Sequence, residues 1–193
     1  MKCMARTYTL KRRAEAQAET RQRIVDAAVE LHGELGPALT SMSAVAERAG
    51  VQRNTLYAHF PDERSLLLAC SAESLERDPL PDAGEWRHVK KGEERLQAGL
   101  SAVYGWFERN AQLAGCVLRD AEFHQPVQEI AALRYAPHFD LYEAILGVGL
   151  TARQHAVLRL ALNYFAWRSL SRDGGLSRSA TVDVMVKAIL AAS

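Results

Sequence analysis

The chain has 193 residues, of which 48% are hydrophobic, and a formal net charge of +1. This composition is typical of a globular protein with a sizeable core and excludes a strongly charged, disordered chain. The three cysteines are scattered without a CxxC pair, which argues against a disulfide framework or a zinc finger. No signal-peptide core and no apolar run near the ~20 residues of a membrane span is present, so we expect a cytoplasmic protein without membrane association.

The N-terminus is basic, and we predict a flexible arm over residues 1–17. The basic residues of this segment are Lys2, Arg6, Lys11, Arg12 and Arg13. Two interpretations stay open: a solvated, disordered end, or an arm that becomes ordered in the minor groove of a nucleic acid.

An amphipathic helix is predicted over about residues 18–35, because apolar residues recur there at helical spacing. They are Ile24, Ala27, Ala28, Leu31 and Leu35. Gly36 and Pro37 end this helix.

Residues 41–60 predict two short helices joined by a tight turn. Ser41 is a good N-cap for the first, and Gly50 supplies the positive φ that a sharp turn needs. Leu56 and Phe60 of the second helix point inward at i and i+4. This is the pattern of a helix-turn-helix that reads DNA.

The outward residues of the second helix are polar, basic and aromatic: Gln52, Arg53, Asn54, Thr55, Tyr57 and His59. In a recognition helix the N-terminal residues meet base edges, and hydroxyls and imidazoles bind phosphates. Residues 1–60 hold nine basic and six acidic side chains, a balance of +3, so the remainder is net −2. The alternative is an ordinary helical pair with a solvated face.

Three segments together resemble the N-terminal domain of the tetracycline-repressor (TetR) family of transcriptional regulators. They are Ile24-Val-Asp-Ala-Ala, Val45-Ala-Glu-Arg-Ala-Gly-Val and Thr55-Leu-Tyr-Ala-His-Phe, followed by Leu66-Leu67. The resemblance covers roughly residues 18–70. It implies an all-α homodimer with an N-terminal three-helix DNA-binding domain and a C-terminal helical domain for ligand binding and dimerisation.

By position, the resemblance implies that Gln52, Arg53 and Asn54 face bases, whereas Thr55, Tyr57 and His59 face phosphates. Ser41 is also a predicted DNA-binding residue. Glu63 stands where the family has a phosphate-contacting lysine, and Arg64 can replace it. The family often has Ser at the position of Gln52 and Gly at that of Asn54, but both residues can bond adenine edges.

Beyond this domain the chain reads as almost entirely helical. Asp62 is the predicted N-cap of a helix to about Glu76, and residues 78–84 read as a linker. We predict domains over residues 18–61 and 62–193. Further helices are predicted at 96–107, near 113–118, at 126–146 with Pro137 kinking or splitting it, at 151–170 behind a Thr151–Gln154 capping box, and at 179–192.

The last two helices predict a homodimer. The helix at 151–170 is apolar nearly all round, so it is either the central helix of a single domain or covered on one side by its own domain and on another by a second subunit. The final helix carries the stripe Val182, Met185, Val186, Ile189 and Leu190. We expect subunits to pair through residues 154–171 and 179–192, since a two-fold DNA site needs a dimer.

Aromatic and polar residues of the middle helices are candidates for a small-molecule site: Tyr104, Phe107, Phe123, His124, His138, Asn163 and Trp167, with Trp106, Tyr135 and Phe139 nearby. Such sites are mostly apolar with a few placed polar groups. Ordinary core packing is the alternative for each residue. We predict no metal and no cofactor, because Asp120, Glu122 and His124 cannot all share one helix face.

The sequence thus predicts a ligand-responsive DNA-binding regulator, most simply a repressor released from a palindromic double-stranded operator by a small molecule. The alternative is a helical enzyme or a small-molecule or lipid carrier with a helix-turn-helix-like N-terminus. No nucleophile–base pair at telling spacing supports catalysis, so we do not expect an enzyme.

Overall fold

The computed structural model describes the backbone of residues 2–192 and the side chains of residues 11–192. Helices are the regular elements throughout these residues, which confirms the predicted all-α fold. They are α1 (Lys2–Glu34), α2 (Met42–Arg48), α3 (Arg53–His59), α4 (Glu63–Arg77), α5 (Glu93–Asp120), α6 (Gln125–Leu146), α7 (Ala152–Ala161), α8 (Tyr164–Arg168) and α9 (Arg178–Ala191). In this part of the chain, none is long and apolar enough to cross a bilayer.

The first helix is longer than predicted. α1 begins at Lys2 rather than near Ala18, so the segment predicted as an arm is helical backbone from residue 2. Residues 11–19 are all Lys, Arg, Ala, Glu or Gln, which are strong helix formers, whereas the prediction followed the apolar stripe alone. Met1 and the side chains of Lys2 and Arg6 lie outside the described residues, and flexibility of the arm stays a prediction.

One compact unit contains residues 1–77 and 116–130. α1 contacts α2, α3 and α4 in it, and the predicted inward residues Leu56 and Phe60 are buried. The core also includes Ile24, Val25, Ala28, Leu31, Val45, Ala46, Leu66 and Cys70. Leu35, assigned to the same stripe as Leu31, is instead 45% exposed, because it follows the last residue of α1.

The turn after α1 is tied to the end of α5 within this unit. Gly36 has φ +99°, a conformation that favours glycine. The Ala38 amide donates to Asp120 Oδ2 at 2.9 Å, and Arg119 donates to the Leu35 carbonyl at 2.9 Å. Asp120 is fully buried and also accepts from Arg119 Nε at 2.8 Å, so its charge is paired and hydrogen-bonded.

The second compact unit contains residues 78–115 and 131–193. Its first residues, predicted as a linker, are ordered by packing: Leu80, Ala83 and Trp86 are buried. The Asp78 carboxylate accepts from Arg109 Nε at 2.8 Å, and this hydrogen bond is the main reason that its pKa is lowered.

Three predicted helix boundaries differ in the structure. The helices predicted at 96–107 and 113–118 are parts of one helix, α5, and α6 continues through Pro137 without being split. The helix predicted at 151–170 is interrupted, because α7 ends at Ala161 and Asn163 caps a separate α8. Tyr104 Oη donates to the Ala161 carbonyl at 2.9 Å and so satisfies an acceptor at this break.

The apolar stripe of α9 that was predicted to pair the subunits lies inside the single chain instead. Val182, Met185, Val186 and Ile189 are already buried within a single chain, where α9 packs on α7. Their burial leaves the opposite faces of both helices exposed. The predicted capping box of Thr151 and Gln154 at the start of α7 is confirmed.

The division of the chain into compact units does not follow the predicted domain boundary between residues 61 and 62. α4 groups with the N-terminal helices, because Leu66 and Cys70 pack in their core. α5 and α6 each contribute one end to the first unit and the rest to the second. The functional division of the chain at that boundary stays a prediction.

Candidate nucleic-acid interface

A single glycine sets the turn between α2 and α3. Gly50 has φ +65°, as predicted, and the Val51 amide donates to the Ala46 carbonyl at 2.9 Å. Ser41 caps α2, since its hydroxyl oxygen accepts from the Ala44 amide at 3.2 Å. α2 and α3 therefore form a helix-turn-helix whose geometry is specified by local residues.

α3 presents a polar face on the side opposite buried Leu56. The exposed or half-buried residues of this face are the six predicted ones: Gln52, Arg53, Asn54, Thr55, Tyr57 and His59. Gln52 occupies the N-cap position but makes no side-chain capping bond, so its amide is available to an external partner. The arrangement suits entry of the helix into a DNA major groove.

The Arg53 guanidinium is held against α2, where it donates to Ser43 Oγ. A guanidinium has five N–H donors, so several remain for a base edge. A side chain that is already ordered loses less conformational entropy on binding. Ser43 was missed by the sequence analysis, because no local pattern marks a contact that spans the turn.

Two further predicted DNA-binding residues, Ser41 and Arg64, flank α3. Ser41 is exposed, and its capping bond uses the hydroxyl oxygen as acceptor, so the O–H can still donate. Arg64 lies exposed at the start of α4, with Nε 3.8 Å from a carboxylate oxygen of Glu129. Exposed pairs of this kind contribute ~0–1 kcal/mol, so a phosphate can replace Glu129.

Other arginines of this unit hold its helices together. Arg48 bonds Glu34 and Glu30, with closest N–O distances of 2.9 and 3.3 Å. The hydrogen bond to Glu34 raises the pKa of Arg48 and lowers that of Glu34. Arg21 lies over the Phe60 ring, 4.9 Å from its centroid. The sequence charge count therefore overstates the cations available to a nucleic acid.

Three predicted ligand-binding residues meet in the core of the second unit. Tyr104, Phe107 and Trp167 are buried, and the Phe107 centroid lies 6.3 Å from that of Tyr104 and 5.5 Å from that of Trp167. Burial raises the pKa of Tyr104. Trp167 Nε1 is buried and lacks a hydrogen-bond partner among the described residues. An unsatisfied buried donor costs ~1–3 kcal/mol, which a ligand acceptor could recover.

The other predicted ligand residues lie elsewhere. Phe123 and His124 belong to the first compact unit, where Phe123 is 68% exposed and His124 Nε2 lies 3.6 Å from Glu63. Asn163 is exposed and caps α8, and His138 is exposed on α6. The role of the predicted set in ligand binding stays a prediction.

Aromatic residues outside that set complete the cluster of the second unit. Tyr164 lies edge-on to Phe107 at 5.4 Å, and its hydroxyl donates to the Ala111 carbonyl at 2.6 Å. Tyr142 contacts Phe139 at 5.3 Å between centroids. The i, i+3 spacing of Tyr164 and Trp167 was the sequence signal that could have identified one of these residues.

The three residues weighed as metal ligands have separate surroundings. Asp120 is buried against Ala38 and Arg119, Glu122 is exposed, and His124 faces Glu63. Within the described part of the chain, no group of three or more His, Cys, Asp or Glu residues is placed to hold a metal ion.

Comparison with known proteins finds sequence similarity to bacterial regulators. Residues 24–70 match the family described as "Bacterial regulatory proteins, tetR family". The chain is 35% identical over 106 residues to the HTH-type transcriptional repressor KstR of Rhodococcus jostii (strain RHA1), covering 55% of this chain and 49% of that protein. It is 42% identical over 74 residues to the HTH-type transcriptional regulator SrpR of Pseudomonas putida, covering 37% and 34%.

Solved structures share the fold of most of the chain. The transcriptional regulator FadR from Bacillus subtilis, in complex with stearoyl-CoA, superposes with a TM-score of 0.62 at 18% identity, covering 89% of this chain and 98% of that one. The matched part of this chain spans half or less of each of the two curated relatives. The family match concerns residues 24–70, and the structural match concerns the fold alone.

Proposed function

We propose, from the match of residues 24–70 to the tetR family of bacterial regulatory proteins, that the chain is a DNA-binding transcriptional regulator of that family. It acts as a repressor that leaves its operator when a small molecule binds the C-terminal helical region. The observation that supports this most is α3, whose polar residues stand outward on a glycine-set turn. We also place the protein in the cytoplasm, where its DNA target lies, and assign it no catalytic activity.

The proposed roles follow the positions along α3. Gln52, Arg53 and Asn54 stand at its N-terminal end and read base edges in the major groove. The remaining DNA contacts bind phosphates through hydroxyl, imidazole and guanidinium groups: Ser41, Thr55, Tyr57, His59 and Arg64. Phosphate contacts set register and affinity, whereas base contacts set the choice of sequence.

The proposed effector is a largely apolar molecule with at least one hydrogen-bond acceptor. The aromatic core of the second unit supports this, because the indole N–H of Trp167, beside Phe107 and Tyr164, has no hydrogen-bond partner among the described residues. The solved FadR, which shares the fold, holds stearoyl-CoA, a ligand with a long apolar chain.

The proposed assembly is a homodimer on a palindromic operator, paired through the exposed faces of α7 and α9. Leu160 on α7 is 56% exposed and Val184 on α9 is 42% exposed. The same exposed faces carry four alanines, Ala152, Ala156, Ala188 and Ala191, together with the charged residues Arg153, Arg159, Asp183 and Lys187. Small side chains permit close helix approach, and a second copy of the chain would bury Leu160 and Val184.

Fluorescence anisotropy with labelled duplex DNA across a salt series tests the proposal. A regulator binds random duplex weakly, with a steep negative slope of log affinity against log salt, and binds duplexes selected from a random pool more tightly. A chain that binds neither random nor selected duplex is not a DNA-binding regulator, and the helical enzyme or carrier would then be the better interpretation.

A further inference from the structure

A groove lies beside the recognition helix within the first compact unit. α1 forms one wall and α3 the other, and the groove has a volume of about 590 Å³. Asn54, Thr55 and His59 line it from α3, and Arg13, Gln17 and Thr20 line it from α1. We call this feature the α1–α3 groove.

The wall formed by α1 is one face of that helix. Arg13, Gln17 and Thr20 stand at i, i+4 and i+7, which places them in a row about 10 Å long. Glu15 and Glu19, the acidic residues of this stretch, do not line the groove. The α1–α3 groove therefore contains a cation and amide and hydroxyl groups but no carboxylate.

Two of these groups are available to an external ligand. Among the residues that the structure describes, Arg13 and Gln17 have no hydrogen-bond or ion-pair partner, whereas neighbouring Lys11 lies 3.9 Å from Glu15. The Thr20 hydroxyl is not available as a donor to a ligand, since it donates to the Ala16 carbonyl at 2.8 Å.

We propose that the α1–α3 groove receives one sugar-phosphate strand of the duplex that α3 reads, with Arg13 binding a phosphate and Gln17 donating to the same strand. This rests on the function proposed above. An α-helix with its side chains is ~10–12 Å across and the major groove is ~12 Å wide, so the backbone of the DNA must run directly beside α3. α1 occupies one of those flanks.

The side chains that line the groove from α3 are suited to a sugar-phosphate strand. Thr55 and His59 carry hydroxyl and imidazole groups of the kind that bind phosphates. Arg13 and Gln17 stand before residue 24, where the family match begins. The contact is therefore carried by the helical extension of this chain rather than by the matched domain.

The test compares two variants with the same change of charge at adjacent positions. Arg13→Gln and Arg12→Gln are measured against a selected operator and a random duplex over a salt series. Arg13→Gln should weaken both complexes by a similar factor and lower the salt slope by about 1, the value for one lost phosphate contact. Arg12→Gln, outside the groove, should leave the slope unchanged.

Equal changes of slope in the two variants would overturn the proposal, because they would reflect general charge alone. An unchanged slope for Arg13→Gln, or an altered base preference, would also overturn it. Gln17→Glu places a carboxylate in the groove and should also weaken binding of both duplexes relative to the wild type. Circular dichroism checks that the helix content of this variant is unchanged. If the wild-type chain binds no duplex at all, the proposed function itself fails, which is a distinct result.

Discussion

At the scale of single residues, the proposed base contacts are concentrated in the first residues of α3. Asn54 is exposed, and Arg53 is exposed but already held by Ser43. Tyr57 and His59 stand farther along, where hydroxyl and imidazole groups suit phosphates. The two sets of residues should therefore affect binding in different ways.

Arg53→Ala and Asn54→Ala should relax the choice of base at particular operator positions. A lost bidentate base contact costs ~1–3 kcal/mol at one position. Selection of duplexes from a random pool, followed by sequencing, measures this directly. Tyr57→Phe is the control, since removing a phosphate contact should lower affinity for all sequences alike. Unchanged base preferences in both alanine variants would refute the base-reading assignment.

His32 should make stability depend on pH. Burial lowers the pKa of this imidazole to about 4, against the opposing effect of Asp120, while the unfolded chain has the ordinary value of 6.5. Between these values the unfolded state binds more protons, so unfolding becomes easier as the pH falls from about 6.5 to 4. The resulting loss of stability reaches ~3 kcal/mol below pH 4.

Urea unfolding of the wild type and of His32→Gln between pH 4 and pH 7 measures this effect. The variant should lose much of the pH dependence, since its side chain does not titrate. His88→Gln replaces an exposed histidine and should keep the wild-type dependence. If the free energy of unfolding of His32→Gln changes with pH as much as that of the wild type, His32 does not titrate as described.

At the scale of elements, the connection between α1 and α2 depends on the end of α5. Asp120 accepts from the Ala38 amide, and Arg119 donates to the Leu35 carbonyl, so the turn is fixed by contacts distant in sequence. Gly36 makes this approach possible, because an added Cβ would collide with the side chains of Arg119 and Asp120.

Gly36→Ala should therefore destabilise the protein. Its φ of +99° is strained for alanine, a cost of ~1–3 kcal/mol, and the collision adds to it. Gly33→Ala is the matched control, since it lies in α1 and a Cβ there has no neighbour within 4 Å. That change should stabilise by ~0.5–1 kcal/mol. Thermal unfolding measures both, and equal shifts of Tm would contradict the interpretation.

At the scale of the whole molecule, the proposed regulator needs two copies of the recognition helix α3, one from each subunit. Operator half-sites are ~34–36 Å apart, so recognition depends on the spacing that the dimer sets. The residues available for pairing are those that one chain leaves exposed on α7 and α9, and they differ from the stripe predicted from the sequence.

Leu160→Glu and Val184→Glu should shift the dimer toward monomers without unfolding the chain, because both side chains are exposed in one subunit. Sedimentation velocity measures the shift. Leu133→Glu, on α6 and also 56% exposed, is the control and should remain dimeric. Val186→Glu should unfold the chain instead, since Val186 is buried. Dimers that persist with both glutamates on α7 and α9 would place the interface elsewhere.

Effector and operator should weaken each other's binding by the same factor. This reciprocity is required by thermodynamic linkage, and the coupling is commonly ~1–3 kcal/mol. Calorimetric titration of a ligand found by thermal-shift screening, with and without operator DNA, measures it. Equal ligand affinities in the two titrations would show that the ligand is not the effector.

The sequence by itself determined the helix-turn-helix and its outward residues. Ser41, Gly50 and the Thr151–Gln154 capping box act within one helical turn, so their effect can be read from neighbouring residues. The spacing of Leu56 and Phe60 likewise identified the inward face of α3. These features needed no knowledge of what packs against them.

Only the tertiary structure decided which faces are covered and where the long helices end. The apolar stripe around Val186 has the same pattern whether α7 or a second subunit covers it, and the pattern carries no information about the partner. At the break before Asn163, the Ala161 carbonyl accepts a hydrogen bond from Tyr104, which lies far away in the sequence. The groove beside α3 arises because helix propensity extends α1 to Lys2, and tertiary packing then places Arg13 beside it.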